Sequence, residues 1–144
     1  EPTESDLGEI VMTIVRSTST PDHQIKATIE GDLNMLIRPH AIRRCVTNLV
    51  VNAITHAKTV EINAVRRGGL VEINVDDDGP GIPENEYEAV FKPFYRLDAS
   101  RNPGTGGTGL GLSIARDLAR GSGGDVTLER SALGGLRATI KLPV

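Results

Sequence analysis

Tryptophan is absent from this 144-residue sequence, aromatic residues make up 3% of it, and there is one cysteine, Cys45. A lone cysteine excludes an internal disulfide and any multi-cysteine metal site, and it suits a reducing compartment. With so few rings, the core has to be assembled from Val, Ile, Leu and Ala. No stretch approaches the roughly 18 apolar residues of a membrane-spanning helix, and the polar, acidic opening from Glu1 to Asp6 lacks the pattern of a signal peptide. The chain as given therefore reads as soluble, with no direct membrane contact. There is no dense run of Lys and Arg, and a net charge of −3 with a pI near 5.6 argues against a nucleic-acid surface. No internal repeat, low-complexity tract or Gly-x-x-x-x-Gly-Lys-Ser/Thr phosphate loop occurs.

What is present, 38% hydrophobic and 24% charged residues, fits one domain large enough to bury a core. Residues 1–6 read as the end of a linker and 7–144 as the folded unit. Leu7, Ile10, Val11, Ile14 and Val15 share one face of a short helix capped by Ser5 or Asp6. Alternation predicts strands at Ile25 to Ile29 and at Leu33 to Ile37, with a turn at Gly31-Asp32. Pro39 opens the main amphipathic helix, apolar at Ile42, Cys45, Val46, Leu49, Val50, Ala53 and Ile54. Its other face carries Arg44, Asn48, Asn52 and His56, each four residues from the last and so aligned in one stripe. An antiparallel hairpin follows, Val60 to Val65 and Leu70 to Val75 around Arg67-Gly68-Gly69. Pro83 and Glu84 begin a short helix toward Val90, and 97–107, with no apolar period, reads as a mobile loop suited to a lid. A last helix starts at Thr108 or Gly109 and stops at Gly121, and strands at Val126 to Glu129 and Arg137 to Leu142 flank Gly134-Gly135.

Two glycine-bearing stretches stand out, Asp77 to Gly81 and Gly104 to Leu112. Glycine at this density lets a ligand approach the main chain. Gly104-x-Gly106-x-x-Gly109, with Glu129 placed 20 residues on, matches the dinucleotide fingerprint in spacing. That fingerprint requires a preceding strand, whereas Phe94 to Pro103 is polar and broken by proline. What remains is a glycine loop opening a helix, whose N–H groups at Gly107, Thr108, Gly109, Leu110 and Gly111 can face phosphate oxygens. Its plainer reading is a flexible linker with an N-cap. Likewise Asp77-x-Gly79-x-Gly81 is either a simple turn or a carboxylate fixed to accept from an exocyclic amine such as adenine's. Asn48 and Asn52, singly surface polars, together make a candidate for Mg²⁺ or phosphate, because that cation takes hard oxygen donors. His23 and His40 read as surface residues and Cys45 as inert core.

In order and separation, Asn48-Leu-Val-Val-Asn52-Ala, Asp77-Asp-Gly-Pro-Gly81-Ile82, Phe91-Lys-Pro-Phe94 and Gly107-Thr-Gly-Leu-Gly-Leu112 resemble the N, G1, F and G2 boxes of sensor histidine kinases. The set is similar to that of EnvZ-type osmosensors, within the superfamily shared with gyrase and chaperone ATPases. The resemblance covers nearly the whole chain, including the closing Gly134-Gly135-Leu136 and Leu142-Pro143. It implies the catalytic, ATP-binding domain: an α/β two-layer sandwich of the Bergerat type, with a mixed, mostly antiparallel sheet packed against about three helices and an ATP lid at about 92–107. It also implies ATP and Mg²⁺. By matching positions, Asn52 would coordinate Mg²⁺, Asn48 would support the phosphates or the metal shell, and Asp77 would take the adenine amino group. Gly79, Gly81 and Ile82 would shape the base pocket, Phe91 and Phe94 would anchor the lid, and Gly107, Thr108, Gly109, Leu110 and Gly111 would meet the phosphates. Many relatives have Lys and a ring where this sequence has Thr55 and His56. Arg96 or Arg101 is then the candidate to supply the missing positive charge, and His56 the candidate to stack on adenine.

The resemblance further implies phosphoryl transfer to a histidine on a separate helical dimerisation domain, with a response regulator as an indirect partner. It implies a cytoplasmic domain of a protein anchored in the bacterial inner membrane. None of His23, His40 and His56 sits in a His-Glu or His-Asp pair, so the phosphoacceptor is expected elsewhere. Gyrase-type and chaperone relatives carry Glu four residues before the metal asparagine; Asn48 stands there in this chain, and an amide cannot act as a general base. Little intrinsic ATP hydrolysis is expected. Three alternatives stay open: a non-catalytic adenine-nucleotide sensor, a serine kinase of the anti-sigma type, and a binding module without nucleotide.

Overall fold

The structure, a computed structural model, describes residues 2–95 and 111–144. The sites expected at Arg96, Arg101, Gly107, Thr108, Gly109 and Leu110, and most of the lid, lie outside the described residues. The elements run β1 (Thr3–Asp6), α1 (Leu7–Thr18), β2 (Ile25–Glu30), β3 (Asn34–Ile37), α2 (Pro39–His56), β4 (Val60–Arg67), β5 (Leu70–Asp77), α3 (Gly111–Gly121), β6 (Asp125–Arg130) and β7 (Leu136–Pro143).

Five strands form one sheet in the order β2-β4-β5-β7-β6, with only the β2–β4 pair parallel. The expected mixed, mostly antiparallel sheet and three helices are therefore present. Along β5 the side chains alternate. Val71, Ile73 and Val75 join the buried cluster with α1, α2 and α3, while Asn74 and Asp76 point to the other face. On that outer face a polar ladder crosses the sheet. Thr139 Oγ1 donates to Asn74 Oδ1 at 2.7 Å, Asn74 Nδ2 to Asn63 Oδ1 at 3.2 Å and Asn63 Nδ2 to Glu30 Oε2 at 3.0 Å. Asn74 and Thr139 are buried at little cost because each has its partner.

Two elements differ from the sequence reading. Thr3–Asp6, read as linker, is a strand paired antiparallel with β3 from Thr3↔Ile37 to Asp6↔Asn34. Its mostly exposed Thr-Glu-Ser-Asp side chains give no apolar alternation to read, since the pairing uses only backbone. Its last residue also caps α1, with Asp6 Oδ1 accepting Glu9 N–H at 3.3 Å. Strands β2 and β3 flank the Gly31 turn as expected, β2 joining the large sheet and β3 the small one. The short helix expected after Pro83 is two separate 3₁₀ turns, Glu84–Glu86 and Ala89–Phe91.

Candidate functional site

Asp77 ends β5 on the helix-facing side of the sheet and is 5% exposed. Its Oδ1 accepts Gly79 N–H at 2.9 Å and Leu136 N–H at 3.1 Å, while its carbonyl accepts Gly135 N–H at 3.0 Å. No donor among the described residues reaches its second oxygen, Oδ2. The result is a carboxylate held from behind, with one acceptor uncommitted. Three backbone segments crowd around it. A Cβ on Gly79 would lie 2.6 Å from the His56 carbonyl oxygen, and one on Gly135 would overlap Asp77 itself. Gly81, at φ +74°, packs against Gly135. Glycine is thus required by space at two of these positions and by backbone angle at the third.

The neighbouring Asp78 is exposed and turns the other way. Its Oδ1 accepts Thr59 N–H at 2.9 Å and Lys58 N–H at 3.0 Å, and these bonds, Thr59's first, hold the carboxyl below the ordinary aspartate range. They fasten the chain leaving α2 to the end of β5.

Asn48 and Asn52 lie half-buried one turn apart on α2, and His56 is exposed at its C-terminal end. Among the described residues neither amide has a hydrogen-bond partner. The first residue of α3, Gly111, faces the Asn48 carbonyl, so this helix begins beside the asparagine stripe. Uncommitted amide oxygens are hard donors, and this donor set fits Mg²⁺ that keeps most of its water. The two asparagines, the Asp77 loop and the start of α3 are therefore gathered at one end of the sandwich.

Ile82 is partly buried against the core. Phe91 is 8% exposed, with the Arg116 guanidinium carbon 3.9 Å from its ring centroid. Arg116 also donates to Glu88 at 3.0 and 3.3 Å and to Asp125 at 3.1 Å, joining the start of the second 3₁₀ turn to α3 and β6. Burial opposes its charge, but these partners outweigh that and hold its pKa above the usual guanidinium value. Phe94 differs from Phe91: it is 70% exposed at φ +64°. The sequence reading missed Gly135 and Leu136 as parts of the site. Their contribution is two backbone N–H groups, and the only signal was the glycine pair in the last hairpin.

The family described as histidine kinase-, DNA gyrase B- and HSP90-like ATPase matches residues 37–144. The chain belongs to that family. This ATPase domain is 44% identical over 108 residues to the sensor histidine kinase CpxA of Escherichia coli strain K12, a match covering 74% of this chain and 23% of CpxA. The ATP-binding domain of PrrB from Mycobacterium tuberculosis is similar with a TM-score of 0.83 at 28% identity, covering 99% of this chain and 97% of that one. For the histidine kinase domain of the E. coli osmosensor EnvZ the TM-score is 0.75 at 31% identity, covering 100% and 90%. The ATPase domain spans 22% to 29% of the length of the curated relatives GtrS, CpxA and RstB. Among the described residues no helix is long and apolar enough to cross a membrane.

Proposed function

We propose that this domain binds Mg·ATP and delivers the γ-phosphoryl group to a histidine on a separate helical dimerisation domain of a two-component sensor kinase. The observation that carries the reading is Asp77, whose Oδ1 is locked by two backbone donors while Oδ2 is left to accept one hydrogen from the adenine amino group. Gly79 and Gly81 let the base lie against main chain. Asn52, supported by Asn48, would hold the cation, which when bound supplies charge neutralisation across the phosphates. The N–H groups from Gly107 to Gly111 and the Arg96 or Arg101 guanidinium would orient the γ-phosphate, His56 would cover the base, and Phe91 and Phe94 would anchor the lid. The histidine nitrogen then bonds to the γ-phosphorus as the bridging bond to ADP breaks. The Asn48 amide cannot deprotonate water, so transfer to histidine is favoured over hydrolysis. The response regulator is reached through the phosphohistidine, and the domain works on the cytoplasmic side of an inner-membrane sensor.

Calorimetry with Mg·ATP on the native domain, Asp77→Asn and Asn52→Ala tests the site. The native domain is expected to bind at least about tenfold more tightly than either variant, the loss of one charge-assisted contact. Equal affinity in all three would overturn the assignment. In trans, the dimerisation domain should acquire acid-labile phosphate, whereas ATP turnover by the ATPase domain alone should stay far below an ordinary enzyme's roughly 10 per second.

A further inference from the structure

On the face of the sheet opposite Asp77, a cluster of hydrogen bonds gathers around Asp76. Asp76, pointing outward and 6% exposed, receives Arg137 through two parallel bonds, Nε to Oδ1 at 2.8 Å and an Nη2 to Oδ2 bond at 3.0 Å. Ser131 Oγ, 4% exposed, adds a third at 2.8 Å to Oδ1. Asp76 and Arg137 are direct partners at the end of the β5–β7 ladder. The Asp76 bond keeps the Arg137 guanidinium above its ordinary pKa. Ser131 begins the β6–β7 turn and organises it: its Oγ accepts Leu133 N–H at 3.0 Å, its carbonyl accepts Gly134 N–H and its N–H donates to the Gly135 carbonyl. The two residues that close this turn, Gly135 and Leu136, carry the N–H groups that grip Asp77.

We propose that Arg137 and Ser131 are positioning residues for adenine recognition, clasping the β6–β7 turn onto Asp76 so that Gly135 and Leu136 lock Asp77 through Oδ1 and its carbonyl and leave Oδ2 uncommitted. The clasp touches no nucleotide. It acts because Leu136 and Arg137 are adjacent on a strand: fixing the outward Arg137 fixes the register in which the Leu136 N–H meets the inward Asp77. Arg suits this role better than Lys, since its planar fork makes both bonds to one carboxylate in a single orientation. Without the clasp, the turn can drift and Asp77 can rotate toward other donors, and the amino group of adenine loses a preset acceptor.

This inference rests on the proposed reading of Asp77, and the experiment separates the two. Affinities for Mg·ATP and for the Mg²⁺ complex of purine riboside triphosphate, which has hydrogen in place of the 6-amino group, are measured by calorimetry. The proteins compared are the native domain, Asp77→Asn, Arg137→Gln, Arg137→Lys and Ser131→Ala. In the native domain ATP binds more tightly than the analogue. The ratio should collapse in Asp77→Asn and fall roughly tenfold in Arg137→Gln and severalfold in Ser131→Ala, with affinity for the analogue nearly unchanged and Arg137→Lys recovering part of the loss. A general loosening of the fold would weaken both nucleotides together and overturn the proposal. So would an unchanged ratio in Arg137→Gln and Ser131→Ala alongside a collapsed one in Asp77→Asn. An unchanged ratio in Asp77→Asn overturns the reading of Asp77, and the clasp's role with it. Should Arg137→Gln melt below the assay temperature, Ser131→Ala, which keeps the ion pair, decides alone.

Discussion

The Asp78 carboxylate accepts the backbone N–H groups of Thr59 and Lys58 and is otherwise in solvent. Those bonds favour the ionised form, so its folded pKa lies below the unfolded value. A depressed aspartate pKa gives stability that is fully present above the unfolded value, about 3.9, and is lost as pH falls through the folded value. Asp78→Asn removes the titration and keeps the side chain's shape. Thermal melts should therefore find the variant less stable near neutrality, with the gap closing on acidification. A gap of constant size down to about pH 2 would show that the charge contributes nothing. Asp77, one residue earlier, meets the same kind of donors from inside the fold, and among the described residues its second oxygen has no donor. Asp77 ends β5 facing the helices, while Asp78, the first residue beyond the strand, turns to solvent and fastens the chain leaving α2.

At the scale of elements, α2 links core and site, and its start is poorly finished. Pro39 occupies the first helical position, but Arg38 at the N-cap, extended at φ −91° and ψ 99°, makes no side-chain cap bond, and the first turn has no acidic residue. Arg38→Asp places an acceptor at the orphan N–H groups and a negative charge at the positive end of the helix dipole. It should stabilise the fold by about 1 kcal/mol, read as a rise in the urea midpoint at unchanged slope. An unchanged or lower midpoint would mean that other groups already satisfy those amides. The body of α2 was legible because Ile42, Cys45, Val46, Leu49, Val50 and Ala53 recur at helical spacing, and all six are buried. The strand end at Asp77 was legible from its glycines. Neither β1 nor the two 3₁₀ turns had such a mark, since β1 is held by backbone pairing and the turns are too short for a period. Gly135 and Leu136 escaped for a related reason: they act through N–H groups brought to Asp77 from far along the chain, 59 residues for Leu136, and no side-chain pattern records that.

At the scale of the molecule, one buried cluster among the described residues joins α1, α2 and α3 to the large sheet and to β3, so the described parts of the site share one core. Cys45 sits at the centre of that arrangement, fully buried on α2, with its thiol donating to the Ala115 carbonyl of α3 at 3.2 Å. Burial pushes its pKa up to about 12, against about 8.5 for an exposed thiol. Because the thiolate is the nucleophile, alkylation near pH 8 is blocked in the folded protein twice over, by access and by ionisation. Labelling of Cys45 therefore reports the separation of α2 from α3. If the domain unfolds as one unit, Cys45 alkylation and loss of far-UV circular dichroism should share one urea midpoint. Bound Mg·ATP, which favours only the folded form, should move both midpoints upward together. Labelling that runs ahead of the dichroism would mean that α3, whose first turn lies beside Asn48, detaches from α2 while the sheet stays intact. In that case the nucleotide site would open as a separate unit, and the single-core account of the domain would have to be abandoned.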